Sequence, residues 1–206
     1  MSDRYGFVIA SDECYSEIYH EEPTHPPLGG LQAARRLGRD DYRNLVVFSS
    51  LSKRSNLPSL RSGCAADDAK LMAKFLLYRT YHGSAMSPIV TAASIAAWTG
   101  EAHMKDNRAL YRAKFDVVVS ILENALDVRK PQASFYLLVG TPGSDITFTQ
   151  ELYARTRVTV LSGSFLAREA HGSNPGNRRI RIALVAPMEK CIDAAQRIAQ
   201  FVRTSV

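Results

Sequence analysis

The segment Ser50-Leu51-Ser52-Lys53-Arg54-Ser55-Asn56-Leu57-Pro58-Ser59-Leu60-Arg61-Ser62-Gly63 gathers several reactive side chains in one short stretch. Two hydroxyls, Ser50 and Ser52, stand just ahead of a lysine, and an arginine followed by Ser-Gly comes shortly after it. A lysine amine is nucleophilic only when deprotonated, and desolvation or nearby positive charge lowers its pKa toward that state. The planar donor fork of Arg61, with the Ser50 and Ser52 hydroxyls beside it, suits a phosphate. Together the set suits a phosphorylated ligand that also needs an amine. Taken alone, Lys53 would be read as a solvated surface lysine, as most lysines are. Directly upstream, Asn44-Leu45-Val46-Val47-Phe48-Ser49 is an apolar run bounded by polar residues, the pattern of a buried strand. Lys53 therefore falls on the loop leaving a strand's C-terminal end, where open α/β sheets place ligands.

Two further constellations stand on either side. Phe7-Val8-Ile9-Ala10-Ser11 is a second strand-like run, and it delivers Asp12-Glu13-Cys14-Tyr15. Asp12 precedes a stretch that reads as a helix, so a plain N-cap is one account of it. Tyr15, three residues on, would share its helical face. Near the other end, Arg178-Arg179-Ile180-Arg181-Ile182-Ala183-Leu184 alternates as a strand does, which puts Arg179 and Arg181 on one face.

These three pieces, in this order, resemble the class I/II aminotransferases, the fold-type I pyridoxal-phosphate (PLP) enzymes. That family carries Asp-x-x-Tyr at a strand end, then Ser-x-Ser-Lys followed by Arg-x-Gly, then an arginine opening a short strand. The resemblance covers nearly the whole chain and implies a role for each matched residue. Lys53 would form the Schiff base with the cofactor, and once displaced would carry the proton between the substrate Cα and the cofactor's C4′. Asp12 would pair with the protonated pyridine nitrogen and keep the ring an electron sink. Tyr15 would donate its phenol to the ring's 3′ oxygen, and Ser50, Ser52 and Arg61 would hold the phosphate. The family match of an arginine before Ile-Ala-Leu selects Arg181 for the substrate α-carboxylate. Arg79 lies where some aspartate aminotransferases put a cross-subunit arginine, although a helix-end cation explains it as well.

The resemblance also sets the expected architecture. It implies an α/β fold: the C-terminal part of the PLP-binding large domain, with a mainly parallel sheet, over residues 1–108. A linking helix and a small α/β C-terminal domain follow over 109–206. The partners it implies are an amino acid and a 2-oxo acid, with a homodimer in the full-length protein. Within the family the lysine segment and Tyr78-Arg79-Thr80-Tyr81-His82-Gly83-Ser84 are most similar to members acting on a succinylated diaminopimelate. The chain departs from the pattern at Ser162-Gly163-Ser164-Phe165, where many members have Pro-Gly-Ser. Asn174-Pro175-Gly176 is out of place for the family's Asn-Pro-x-Gly. The family's N-terminal phosphate loop and ring-stacking aromatic have no counterpart, so the chain reads as a C-terminal half. The alternative from another class is an aminotransferase-like ligand-binding module of a transcription regulator, which upstream helix-turn-helix sequence would reveal.

Composition agrees with this reading. With 206 residues the chain can bury a core, and its net charge of +6 is spread along the sequence. No zinc-finger spacing, RNA-recognition motif or basic heptad points to nucleic acid. Three widely spaced cysteines, Cys14, Cys64 and Cys191, argue for a reducing compartment over a disulfide framework. No signal-like start and no run of about 18 apolar residues is present, so the expected location is cytoplasmic, away from membranes. His20 and His25 flank a proline-bearing loop without other ligands, and no metal site is expected.

The elements that must position these residues follow from periodicity. Helices are expected over Glu13–His20, Leu31–Leu37, Asp68–Arg79, Pro88–Trp98, Thr147–Arg155 and Met188–Val202. A long amphipathic stretch over Ala102–Leu126 carries Leu110, Phe115, Val118, Val119 and Leu122 on one side. Further strands are expected over Ser62–Ala66, Ala133–Val139, Val158–Leu161 and Arg179–Val185.

Overall fold

The computed structural model describes residues 1–20, 26–83 and 85–205. Pro23, His25 and Ser84 lie outside the described residues. The chain divides into two compact units, Met1–Arg108 and Ala109–Val206.

The first unit opens with a short helix α1 (Ser2–Tyr5) and strand β1 (Ile9–Asp12), then α2 (Gly30–Arg36) and β2 (Leu45–Ser50). Helix α3 (Leu51–Arg54) and a 3-10 turn at Pro58–Leu60 lead into β3 (Gly63–Asp67), followed by α4 (Ala69–His82) and α5 (Pro88–Thr99). The sheet order is β1-β2-β3, with β1 parallel to β2 and β3 antiparallel to it. Among the described residues the sheet is therefore mixed, not mainly parallel. A parallel return needs a crossover helix long enough to span the strand, and α3 has only 4 residues. Alternation buries Leu45 and Val47 against Ala34 of α2, with Leu31 and Tyr42 packed beside them. Helix α4 is capped by Asp68, whose carboxylate takes the N–H of Lys70 and Leu71, yet it buries none of its own residues. The helix expected over Glu13–His20 is absent; the chain turns there instead. The Asp12 carboxylate accepts the Cys14 N–H, while Glu13 Oε1 accepts from Ser11 Oγ at 3.0 Å and from the Gly30 N–H at 2.6 Å. Such side-chain bonds offer the backbone an alternative to the helical ladder, and they remove the N-cap account of Asp12.

Helix α6 (Ala102–Leu122) runs through the boundary between the units. Its inward stripe is Met104, Arg108, Tyr111, Phe115, Val118 and Leu122, spaced by three and four. Leu110 lies off that stripe at 61 % exposed, against expectation, and Tyr111 takes its place. The second unit continues with β4 (Tyr136–Gly140), α7 (Asp145–Thr156), β5 (Leu161–Ser162), a 3-10 turn at Gly163–Phe165, β6 (Arg179–Ala183) and α8 (Met188–Ser205). Its sheet is antiparallel in the order β4-β6-β5. Leu137, Val139, Ile180 and Ile182 point inward and meet Phe115, Val118, Leu122, Leu152 and Ile198. Strand β4 starts later than the sequence suggests because Ser134 sits at φ 96° and its hydroxyl accepts the Tyr136 N–H. Strand β5 is confined to a pair of residues, so most of Val158–Leu161 is irregular.

Candidate active site

The lysine turn is built by its neighbours. At the end of β2, Ser50 keeps an extended backbone and caps α3, its hydroxyl accepting the Ser52 N–H at 3.3 Å. Leu51 is wholly buried and anchors the turn. Lys53 is half-buried, and its Nζ lies 6.0 Å from the centre of the Tyr15 ring. Left-handed backbone at Asn56 and Arg61 bends the chain back, and the Leu51 N–H donates to the Ser62 carbonyl at 3.1 Å. Gly63 then pairs opposite Ser50, so close that an added Cβ would meet the Ser49 carbonyl oxygen at 2.8 Å. Only glycine tolerates that approach. Arg61, just ahead of this pair, is exposed and donates to the Pro58 carbonyl at 2.9 Å. The structure thus brings Ser50, Ser52 and Lys53 onto one turn, with Arg61 on the strand-return beside it.

Asp12 reaches the same end of the sheet. Because β1 and β2 are parallel, with Asp12 opposite Phe48, β1 ends just short of the end of β2 at Ser50. The Cys14 thiol donates to the Asp12 carboxylate, as does the Cys14 N–H at 3.1 Å, and together they hold the carboxyl below the usual range. Burial pushes the Cys14 thiol up, the bond to Asp12 adds to that, and the Ser50 hydroxyl bonded to the thiol works against it. The sequence reading had placed Cys14 only among the spaced cysteines, although its position two residues after a turn-forming Asp was a usable signal.

Arg181 belongs to the second unit. It sits in the middle strand β6, between Leu138 of β4 and Leu161 of β5. Its guanidinium lies over the Tyr136 ring, 4.4 Å from the centroid, a cation–π contact. Arg179 shares the face but is exposed, whereas Arg181 is half-buried. The Arg178 guanidinium is committed to the Pro142 carbonyl at 2.8 Å. Tyr136 was not singled out from sequence, though its alternation with Leu137 puts it on the outward face. Arg79 is in the last turn of α4, its guanidinium folded against Gly83.

The donor set near Lys53 is a primary amine, an ionised carboxylate, two hydroxyls and a guanidinium. That chemistry fits a phosphorylated aldehyde carrying a basic ring nitrogen. Among the described residues no group of three or more His, Cys, Asp and Glu side chains is placed to hold a metal ion. Among them no helix is long and apolar enough to cross a membrane.

Residues 1–198 match the family model for aminotransferase class I and II, and the chain belongs to that family. Among solved structures, an aminotransferase from Neisseria meningitidis Z2491 is 53 % identical with a TM-score of 0.93, over 98 % of this chain and 51 % of that one. An LL-diaminopimelate aminotransferase of Nitratidesulfovibrio vulgaris is 29 % identical over 202 residues, covering 96 % of this chain and 49 % of that protein. OxyQ of Streptomyces rimosus, a 4-dedimethylamino-4-oxo-anhydrotetracycline transaminase, is 30 % identical over 94 % of this chain and 51 % of its own length. The chain spans about half the length of the curated relatives it matches.

Proposed function

We propose that this chain is the C-terminal half of a PLP-dependent aminotransferase that exchanges an amino group between an amino acid and a 2-oxo acid. The observation that carries the proposal is the convergence of Lys53 and Asp12 on one end of a parallel strand pair. When bound, pyridoxal phosphate supplies the electron sink for the substrate's α-carbanion. Lys53 Nζ would hold the cofactor and, when free, would move the proton at the substrate α-carbon. Asp12, kept ionised by Cys14, would pair with the ring nitrogen and hold a proton there. Tyr15 donates its phenol to the ring oxygen, and Ser50, Ser52 and Arg61 bind the phosphate. Arg181, steadied on Tyr136, takes the α-carboxylate with its bidentate fork.

For the substrate we propose N-succinyl-L,L-diaminopimelate with 2-oxoglutarate, the reaction of succinyldiaminopimelate aminotransferases in bacterial lysine biosynthesis, carried out in the cytoplasm by a homodimer. The lysine segment and the Tyr78–Gly83 stretch support this, while relatives named for LL-diaminopimelate support the diaminopimelate skeleton without the succinyl group. The test is covalent. With the pocket complete, the cofactor gives visible absorbance, and borohydride reduction followed by peptide mapping places the label on Lys53. Label on another lysine overturns the assignment. Comparing turnover of the succinylated and free diamino acids checks the substrate, and a preference for the free one would overturn that part alone.

A further inference from the structure

Arg54, the residue after Lys53, is only 9 % exposed, which is uncommon for an arginine. Its Nη1 donates to the Ala97 carbonyl at 2.8 Å and its Nη2 to the Trp98 carbonyl at 3.5 Å. Its Cζ lies 5.1 Å from the Trp98 ring centre. Both carbonyls belong to the last turn of α5, where the helix leaves its final C=O groups without helical partners. Helix α5 has no basic residue in that turn. Arg54 supplies, from another element, the cation that a helix C-terminus favours.

The clamp extends one residue further. Arg54 Nη1 also reaches Ser55 Oγ at 3.2 Å, and that hydroxyl is 2.8 Å from His103 Nε2 on α6. Ser55 Oγ thus accepts from the guanidinium and pairs with His103 Nε2. A guanidinium is costly to bury and persists where its hydrogen bonds offset that cost. Leu51 in the core and Arg54 on α5 thus fix the turn on both sides of Lys53.

We infer that Arg54, acting with Ser55 and His103, is a positioning residue for Lys53, holding the turn so that the amine meets its carbonyl partner at a fixed place. The inference rests on the proposed reading of Lys53 as the amine that captures pyridoxal phosphate.

The experiment combines the chain with the N-terminal half that completes the pocket, incubates them with limiting pyridoxal phosphate and traps adducts with borohydride. Mass spectrometry then gives the ratio of label on Lys53 to label on exposed Lys70 in wild type, Arg54→Met and Arg54→Lys. Methionine keeps an apolar stem and loses every donor, whereas lysine keeps a cation and part of the bonding. Arg54→Met is expected to cut the ratio roughly tenfold, within the cost of up to about a hundredfold that a misplaced reacting group carries. Arg54→Lys should recover part of it. The emission of Trp98, the chain's single tryptophan, should shift in Arg54→Met as its stacking partner goes. Thermal melting of each variant separates loss of fold from loss of position. An unchanged ratio in folded Arg54→Met overturns the inference and leaves Arg54 a helix-end cap only. Should that variant fail to fold, Ser55→Ala must lower the ratio by itself, and an unchanged ratio there overturns the inference equally. Absence of preferential Lys53 label in the wild type is a different failure, that of the reading of Lys53.

Discussion

A carboxylate serves a ring nitrogen only while it is ionised, and Asp12 is kept so by donors from its own turn. The thiol and N–H of Cys14 both point at it, which holds its carboxyl low even though the residue is exposed. In the complete enzyme, Asp12→Ala should lower transamination by orders of magnitude, because stabilising the carbanion is the hard step. Near-normal turnover in that variant would show that another residue supports the ring. The two arginines divide by the same residue-level logic. Arg61 sits on the lysine turn's return, whereas Arg181 sits on a separate sheet over Tyr136. Arg61→Ala should weaken retention of the cofactor, measured by dialysis, and Arg181→Ala should mainly raise KM for amino acids. Losing one partner of a desolvated charge pair costs about 2–5 kcal/mol, so each effect is measurable, and the reverse pattern would swap the roles. The sequence makes these residues candidates because Asp12 and Lys53 lie in short motifs near strand ends and Arg181 lies in an alternating strand. Cys14, Tyr136 and Arg54 were not legible in it, because their contacts are made by a turn, a sheet face and a distant helix end.

At the scale of elements, periodicity located the helices from α4 to α8 well, and for α6, α7 and α8 the apolar stripe packs against the core of the second unit. It failed over Glu13–His20, where Glu13 bonds to Gly30, a partner no local window contains. The loop that leads into β6 shows the same limit. At the departure from the family pattern stands Ser162, whose hydroxyl bonds to the Asp145 carbonyl and to Thr149 Oγ1 at 3.0 Å. The Asp145 carboxylate, 1 % exposed at the start of α7, accepts from the N–H and O–H of Ser164 and the N–H of Arg178. Burial alone would raise its pKa, but these bonds outweigh burial and hold it low. Replacing it with alanine strands buried donors, and we expect a loss of about 3 kcal/mol of stability in the second unit, measured by urea unfolding. The pH dependence has a definite sign. The stabilisation is complete above the unfolded-state value of about 3.9 and declines as pH falls below it toward the lowered folded value. Asp145→Ala should therefore lose that acid dependence, and an unaltered acid limb would show that another carboxylate carries it.

At the scale of the whole molecule, the two units are unequally self-sufficient. The second has a continuous core running from α6 through β4 and β6 to α8. Among the described residues the first buries Leu45 and Val47 against Ala34, and Ile18, Leu51 and Met104 elsewhere, whereas strand β1 has no buried residue and helix α4 buries nothing. Leu76, Leu77, Tyr78, Tyr81, Ile89 and Ile95 are all exposed there, and so are Phe7 and Val8 ahead of β1. An apolar surface of that kind marks an interface or promotes association. If the chain is the C-terminal half proposed above, the N-terminal half of the same protein and a second subunit cover it. Purified alone, residues 1–206 should then associate with rising concentration in sedimentation, bind pyridoxal phosphate weakly and transaminate poorly. Adding the N-terminal half should restore turnover with glutamate and a 2-oxo acid, and should suppress the association, because the same surface is being covered. The two readouts are tied together by that surface. Recovered activity without loss of self-association would place the interface elsewhere, and robust turnover by the chain alone would show that the missing half is not required for catalysis.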